Sequence, residues 1–339
     1  MTGTVKQPVS FGLSLPNRAV LFGGPISWDI LLQASERAES SGSFDSIWVG
    51  DNLLSKPRLE AIVALSTVAA RTSRLQLGTI CLASFPLRDP VLLATQWASL
   101  DLVSGGRTIL AVCLGASARM GPQFAAELEA MGVSSRDRAS RLEEGIELLR
   151  RFWGAEPVTF DGEMYHYTNV DVQPKPVQER PPIVLAVNPP RPIDPAIEER
   201  ALRRVARLAD GWQTDGTPPE LFRERWTRIQ EYAAEEGRAD AVTHASLHLM
   251  VNINDDAAQA HRESVAFLDH YYGAGAISSE KLSTWLAFGS PSAVIDKIGQ
   301  FLDAGCTTPV LRFTSPDQLG QLEHCLNDIM PAFGRTPSG

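Results

Sequence analysis

Residues 44–52 read Phe-Asp-Ser-Ile-Trp-Val-Gly-Asp-Asn, an apolar run that stops abruptly at a carboxylate and an amide, Asp51 and Asn52. A carboxylate accepts hydrogen bonds and an amide both donates and accepts them, so the pair is suited to orienting a polar ligand. The competing reading makes them turn residues, because Asp and Asn bond to nearby backbone and Asn tolerates a left-handed conformation. His244 and His248 lie four apart on another apolar run. On a strand that spacing puts them on one face about 13 Å apart, at roughly 3.3 Å per residue, too far for one metal ion. Cys81, Cys113, Cys306 and Cys325 have no C-x-x-C spacing, so they read as small buried apolar residues rather than a zinc or redox motif. No metal site is expected. Phosphate-loop, dinucleotide-loop and nucleophile-elbow signatures are missing from the sequence, which removes those classes. Lys6, Lys56, Lys175, Lys281 and Lys297 all fall outside the predicted strand interiors, where a Schiff-base lysine would have to be buried.

The balance of charge narrows the partners. A net charge of -9 with no basic run argues against nucleic acid, whose phosphates need clustered Lys and Arg. Hydrophobic residues at 44% and charged residues at 21% place the chain among globular proteins with a sizeable core. The first residues lack the apolar core of a signal peptide and no long uninterrupted apolar run occurs, so the expectation is a cytoplasmic protein without a membrane partner.

The elements that must carry these residues alternate. Apolar runs at 9–16, 44–50, 75–82 and 108–115 are separated by helical patterns at 27–41, 58–71 and 90–104. Asp89-Pro90 and Gly105 supply a cap, a first-turn proline and a stop for the third of these. After a long connection at 114–135 and a helix at 136–153, an Asp161-Gly162 turn signals a hairpin within 157–167. Strands at 181–188, 211–214, 243–253 and 308–313 then alternate with helices at 195–209, 218–236, 255–271, 290–305 and 316–329. Nearly continuous apolar strands indicate a parallel sheet buried on both faces. Eight strand–helix units predict an α/β fold, a (β/α)8 TIM barrel, rather than an open doubly wound sheet. The expected organisation is one domain over 1–339 with insertions near 114–135, 155–180 and 271–289.

In such a barrel the strand exits line the mouth. The exits of the first five strands bring small neutral groups and one carboxylate, Asp51. A mouth that is almost uncharged suits a flat, largely neutral ring such as an isoalloxazine better than a phosphosugar or a metal.

Together, "FDSIWVGDN", "RTSRLQLGTICL", "LDLVSGGRTILAVCLG", "RLEEGIELLRRFW", "LADGW" and "FGSPSAVIDKIGQFLDAG" resemble the bacterial luciferase-like monooxygenase superfamily of flavin- and deazaflavin-dependent barrels. The resemblance covers nearly the whole chain. It implies a bulge at the third strand exit, Thr79, Ile80, Cys81 and Ala83, with a non-prolyl cis bond at Ile80-Cys81 under the cofactor ring. It also implies cofactor contacts from Asp51, from Gly115, Ala116 and Ser117, and from Ala186, Val187 and Asn188. Two departures stand out: Asn52 replaces a common His, and Ala116 replaces the Glu of the sugar-phosphate dehydrogenases. The segment 185–192 also differs from the usual turn.

The implied function is an oxidoreductase moving a hydride between coenzyme F420 and a small organic substrate, with Asp51 and Asn52 as the catalytic pair. One alternative is a two-component monooxygenase using FMN, dioxygen and a separate flavin reductase. Another is a non-catalytic flavin-binding or partner subunit. The resemblance further implies a homodimer or larger assembly.

Overall fold

The computed structural model describes residues 9–189, 192 and 194–336. Lys6 and part of the segment 185–192 lie outside the described residues. The first half of the chain places β1 (Gly12–Leu15), α1 (Trp28–Ser41), β2 (Ser46–Val49), α2 (Ala61–Ala69), β3 (Gln76–Thr79), α3 (Pro90–Ser104) and β4 (Thr108–Val112). Then come α4 (Pro122–Ala130), α5 (Arg138–Phe152), the antiparallel hairpin β5 (Val158–Asp161) and β6 (His166–Val170), and β7 (Ile183–Ala186). The remainder is α6 (Pro195–Leu208), β8 (Gly211–Asp215), α7 (Pro219–Glu235), β9 (His244–Ile253), α8 (Ala257–Tyr272), α9 (Ser279–Trp285), β10 (Leu286–Gly289), α10 (Pro291–Asp303), β11 (Thr308–Phe313) and α11 (Gln318–His324).

Parallel pairing runs β1-β2-β3-β4-β7-β8-β9-β11 and closes from β11 back to β1, which gives the (β/α)8 barrel that the sequence pattern predicts. The helix ends follow local chemistry. Asp89 accepts the Val91 and Leu92 amides ahead of Pro90, and Gly105 at φ 72° ends α3 in the left-handed conformation that suits glycine.

Several boundaries differ from the sequence pattern. The third strand stops at Thr79 and resumes as a single bridge at Leu82, leaving a bulge that contains the expected cis Ile80-Cys81 bond. The stretch 271–289, read as a loop, holds α9 and β10. The short β10 pairs with Met250–Ile253 of β9, beyond the part of β9 that pairs with β8. A four-residue strand with no polar alternation gives little signal against the helix beside it. The last helix continues past α11 as a wider turn, Cys325–Ile329.

Inside the barrel, Trp48 fills space that its neighbours leave open. It lies beside Gly78 on β3, donates its indole N–H to Ser46 Oγ at 2.8 Å, and stacks on His244 with ring centroids 6.2 Å apart. Ile109, Ala111, Val184 and Val310 complete this plug, and Ile80 and Cys81 rest on it. A Cβ on Gly12 would sit 2.5 Å from the indole nitrogen, and one on Gly78 would sit 2.5 Å from its ring carbon. Gly78→Ala is therefore expected to cost about 1–3 kcal/mol by overpacking. Gly24→Ala, where nothing lies within 4 Å, should stay within about 0.5 kcal/mol. Urea unfolding of both variants checks this, and an unchanged midpoint for Gly78→Ala would contradict the packing argument.

Candidate functional site

Two adjoining cavities, of about 560 Å³ and about 190 Å³, open at the C-terminal ends of the strands. Ile80, Cys81, Asp215 and His248 border both. The smaller one is floored by the apolar groups of the bulge and of Ala186 and Val187, with Cys113 beside them. Of the residues expected from sequence, Asp51, Asn52, Ile80, Cys81 and Ala83 border the larger cavity, and Ala186, Val187 and Asn188 border the smaller one.

Four expected residues border neither. Thr79 is buried in the sheet, where its hydroxyl donates to Ala111 O at 2.6 Å. Gly115, at φ 66°, turns against Ala83, whose carbonyl oxygen lies 2.5 Å from where a Cβ would stand. Its own carbonyl accepts from Arg138 at 2.9 Å. Ala116 and Ser117 follow it away from both cavities.

Asp51 is bound tightly to protein. It is 4% exposed, one carboxylate oxygen accepts the Ser84 amide at 2.8 Å, and the other faces Arg88 at 3.3 Å. Arg88 also pairs with Glu60 at 2.8 Å and donates to Ser84 Oγ at 2.7 Å. The carboxylate thus holds the turn that follows the bulge. Asn52 accepts from Arg58 at 3.0 Å, and Arg58 reaches the Tyr271 hydroxyl at 3.3 Å. The adjoining loop is fixed from α4, where buried Glu127 accepts the Leu53 and Leu54 amides and the Ser55 hydroxyl at 2.7, 2.8 and 2.6 Å.

The expectation of an almost uncharged mouth is overturned. Lys56, Arg58, Lys281 and Arg312 all border the larger cavity. Lys281 on α9 and Arg312 on β11 come from later elements that the first five exits do not show, whereas Lys56 and Arg58 lie in the loop just beyond the residues read as the second exit. Arg312 on β11 is 2% exposed, lies 3.9 Å from the centre of the Tyr271 ring, and leaves Nε and Nη2 without a hydrogen-bond partner. Lys56 lies over the rings of Tyr272 at 4.9 Å and Phe124 at 5.3 Å. Burial, and then Arg58, draw its amine below the ordinary lysine range. Burial raises the Tyr271 phenol, but Arg312, Arg58 and Arg18 outweigh it and bring it below its usual value.

Asp215, at the end of β8, is braced rather than free. Lys281 reaches it at 3.2 Å and the Asn188 amide at 2.6 Å. Asn188 in turn accepts from Arg225 at 3.2 Å, and Arg225 is paired with Glu198 at 2.8 Å. Burial would raise the Asp215 carboxyl, but Lys281, His248 and Asn188 together hold it low. His248 on β9 is 7% exposed, sits edge-on to Trp285 at 5.8 Å, and has no partner at Nε2. Burial, followed by Arg312, lowers its imidazole to about 3, with Asp215 acting the other way. The neighbouring Cys113 thiol, burial and Asp51 push the Cys81 thiol well up. Among the described residues no group of three or more His, Cys, Asp or Glu is placed to hold a metal ion, and no helix is long and apolar enough to cross a membrane.

The family model described as luciferase-like monooxygenase matches residues 9–308. An F420-dependent glucose-6-phosphate dehydrogenase from Kineococcus radiotolerans is 25% identical, the match covering 98% of this chain and 99% of that protein. A protein of the same description from Segniliparus rotundus is 27% identical, with 89% and 92% covered. Among solved structures, an F420-dependent secondary alcohol dehydrogenase in complex with an F420-acetone adduct superposes with a TM-score of 0.78 at 19% identity, covering 96% of this chain and 99% of that one. Monooxygenase RslO1 from Streptomyces bottropensis gives 0.76 at 20% identity, with 96% and 99% covered. At these identities the structural likenesses establish the common barrel fold.

Removing the Asp51 carboxylate strands the Ser84 amide and one side of Arg88. Asp51→Ala is expected to destabilise by about 3 kcal/mol, as for one partner taken from a buried pair, while Asn52→Ala costs about 1 kcal/mol. Equilibrium unfolding in urea compares them, and equal losses would deny Asp51 its bracing role. Because burial holds His248 below its unfolded value near 6.5, the unfolded chain binds the extra proton first. Stability is then complete above about pH 6.5 and falls toward pH 4 by on the order of 1.4 kcal/mol per unit. A His248→Gln variant should show a shallower loss over that window.

Proposed function

Because the chain belongs to the luciferase-like monooxygenase family, we propose that it is an oxidoreductase that uses coenzyme F420 to move a hydride to or from an anionic organic substrate. One observation carries the reading: the mouth has an apolar floor at Ile80, Cys81, Ala186 and Val187, and adjoining it a cavity bordered by the cations Lys56, Lys281 and Arg312. The floor fits a flat ring, and the two unpartnered donors of buried Arg312 fit an oxyanion, since a guanidinium binds carboxylate or phosphate through paired N–H groups. The names of the F420-dependent relatives support the cofactor.

In this reading the bulge supports the ring, and Asp51 borders it while holding the turn beneath. Ala186, Val187 and Asn188 flank it. Bound there, the deazaflavin supplies two-electron hydride chemistry. The chain's own contribution is position, exclusion of water and fixed charge. Asn52 hydrogen-bonds at the edge of the cavity and cannot carry a proton near neutral pH.

Titration of the purified protein with each cofactor tests this. Saturable binding of oxidised F420, without binding of FMN, is the expected result. Binding of reduced FMN with oxygen consumption would favour a two-component monooxygenase served by a flavin reductase. Failure of both to bind at about tens of micromolar, a concentration inside the usual range of working affinities, would favour the non-catalytic reading. With glucose 6-phosphate as a probe anion, Arg312→Gln should weaken binding about tenfold or more, a loss of about 1.4 kcal/mol.

We further propose a single barrel domain acting in the cytoplasm as a homodimer. Val63 on α2 and Leu92, Leu102 and Val103 on α3 are exposed by 66%, 58%, 50% and 69%, and helices apolar on their outer face call for a partner. Light scattering on the wild type and on Val103→Asp should give a dimer and a shift toward monomer.

A further inference from the structure

We propose that His248, through Nε2, exchanges the proton of the substrate oxygen at the carbon that gains or loses hydride, the part that Asn52 cannot play. This inference rests on the oxyanion-binding reading of the same mouth.

Position selects it. Ile80, Cys81, Asp215 and His248 are the residues shared by the apolar and cationic cavities, so a group reacting between a ring on the floor and an anchor on Arg312 meets them. Ile80 has no titratable group. The Cys81 thiol is pushed up by Cys113 and burial, and so stays protonated. Asp215 already accepts from Lys281 and Asn188 and is a weak proton acceptor. His248 remains: the residue borders both cavities, and its Nε2 is buried without a hydrogen-bond partner. An unpaired buried nitrogen carries a desolvation cost that a bound hydroxyl or carbonyl oxygen would remove.

The charges around the ring set when it accepts. Facing it are Asp215 from β8, Lys281 from α9, Arg312 from its neighbour β11, and Arg58 from the loop after β2. Burial and the cations keep the imidazole neutral in the open site, with the Nε2 lone pair available. An oxyanion on Arg312 offsets the cation that acts most strongly on the ring and raises the proton affinity of His248. When an alcohol is oxidised, the carbon's hydride leaves with its electron pair to the two-electron acceptor named above. The O–H bond then breaks, its electron pair forms the second C–O bond, and its proton passes to Nε2. Reduction returns that proton to the oxygen. Binding of the substrate's anionic end thus switches on the base beside its reacting end.

Sulfate, whose charge is constant between about pH 3 and 9, is the probe, so that the titration read is the protein's. Full-length protein labelled with 15N-histidine is titrated by NMR with and without sulfate. His248 is assigned with His248→Gln, or with His248→Asn if the first does not fold. The expected result is a His248 midpoint raised by about one unit or more at saturating sulfate, equivalent to about a tenfold gain in proton affinity. Arg312→Gln should abolish the rise. Sulfate binding with an unmoved His248 midpoint would overturn this inference and leave the oxyanion reading standing. Absence of sulfate binding would overturn both.

Discussion

An eight-stranded parallel barrel must fill its own interior, and here one indole dominates that task. Trp48 takes the space that Gly12 and Gly78 leave on the flanking strands, with Ile109, Ala111, Val184 and Val310 around it. A dry plug of this kind forces the strand ends, rather than the strand centres, to carry the polar groups. The bulge at Ile80 and Cys81 rests directly on the plug, so the floor of the mouth inherits its apolar character from the packing beneath.

Above the plug, charge is used in two ways. Asp51, Arg88 and Glu60 form a linked set that fixes the turn after β3, and Glu198, Arg225, Asn188 and Asp215 form a second that fixes the end of β8. Each buried acid in these sets meets a cation or amide, which is the condition under which burying it is tolerable. Arg312 breaks the pattern. Its guanidinium is buried against Tyr271 with donors left over, and buried cations without acceptors are rare outside binding sites. The protein carries a net charge of -9, yet its mouth gathers Lys56, Arg58, Lys281 and Arg312. This local inversion of charge is what a site for an anionic ligand requires.

The role of Asp51 changes once its partners are visible. From sequence it reads as either a ligand contact or a turn residue, and the structure gives it a large part of the second while keeping it at the cavity edge. Glu127 shows the same principle from a distance: nothing in its local sequence marks it, yet it ties α4 to the loop that carries Asn52 and Lys56.

What the chain declares by itself is periodic or local. Alternating apolar runs and amphipathic helices announce the parallel barrel, Asp89-Pro90 and Gly105 announce the limits of α3, and Asp161-Gly162 announces the hairpin, because each depends on neighbours within a few residues. The apolar half of the mouth was legible for the same reason, since strand exits can be read off strand ends. The cationic half was not. Lys56, Lys281 and Arg312 are separated by long stretches of chain, β10 and α9 hide in what reads as a loop, and His248 looks like one more buried strand residue. Only closure of the barrel, with β11 beside both β1 and β9, brings Arg312 and His248 to one cavity together with Asp51. Sequence determined which faces are buried; the tertiary structure decided which charges meet, because electrostatic contacts depend on distance in space and carry no signature along the chain.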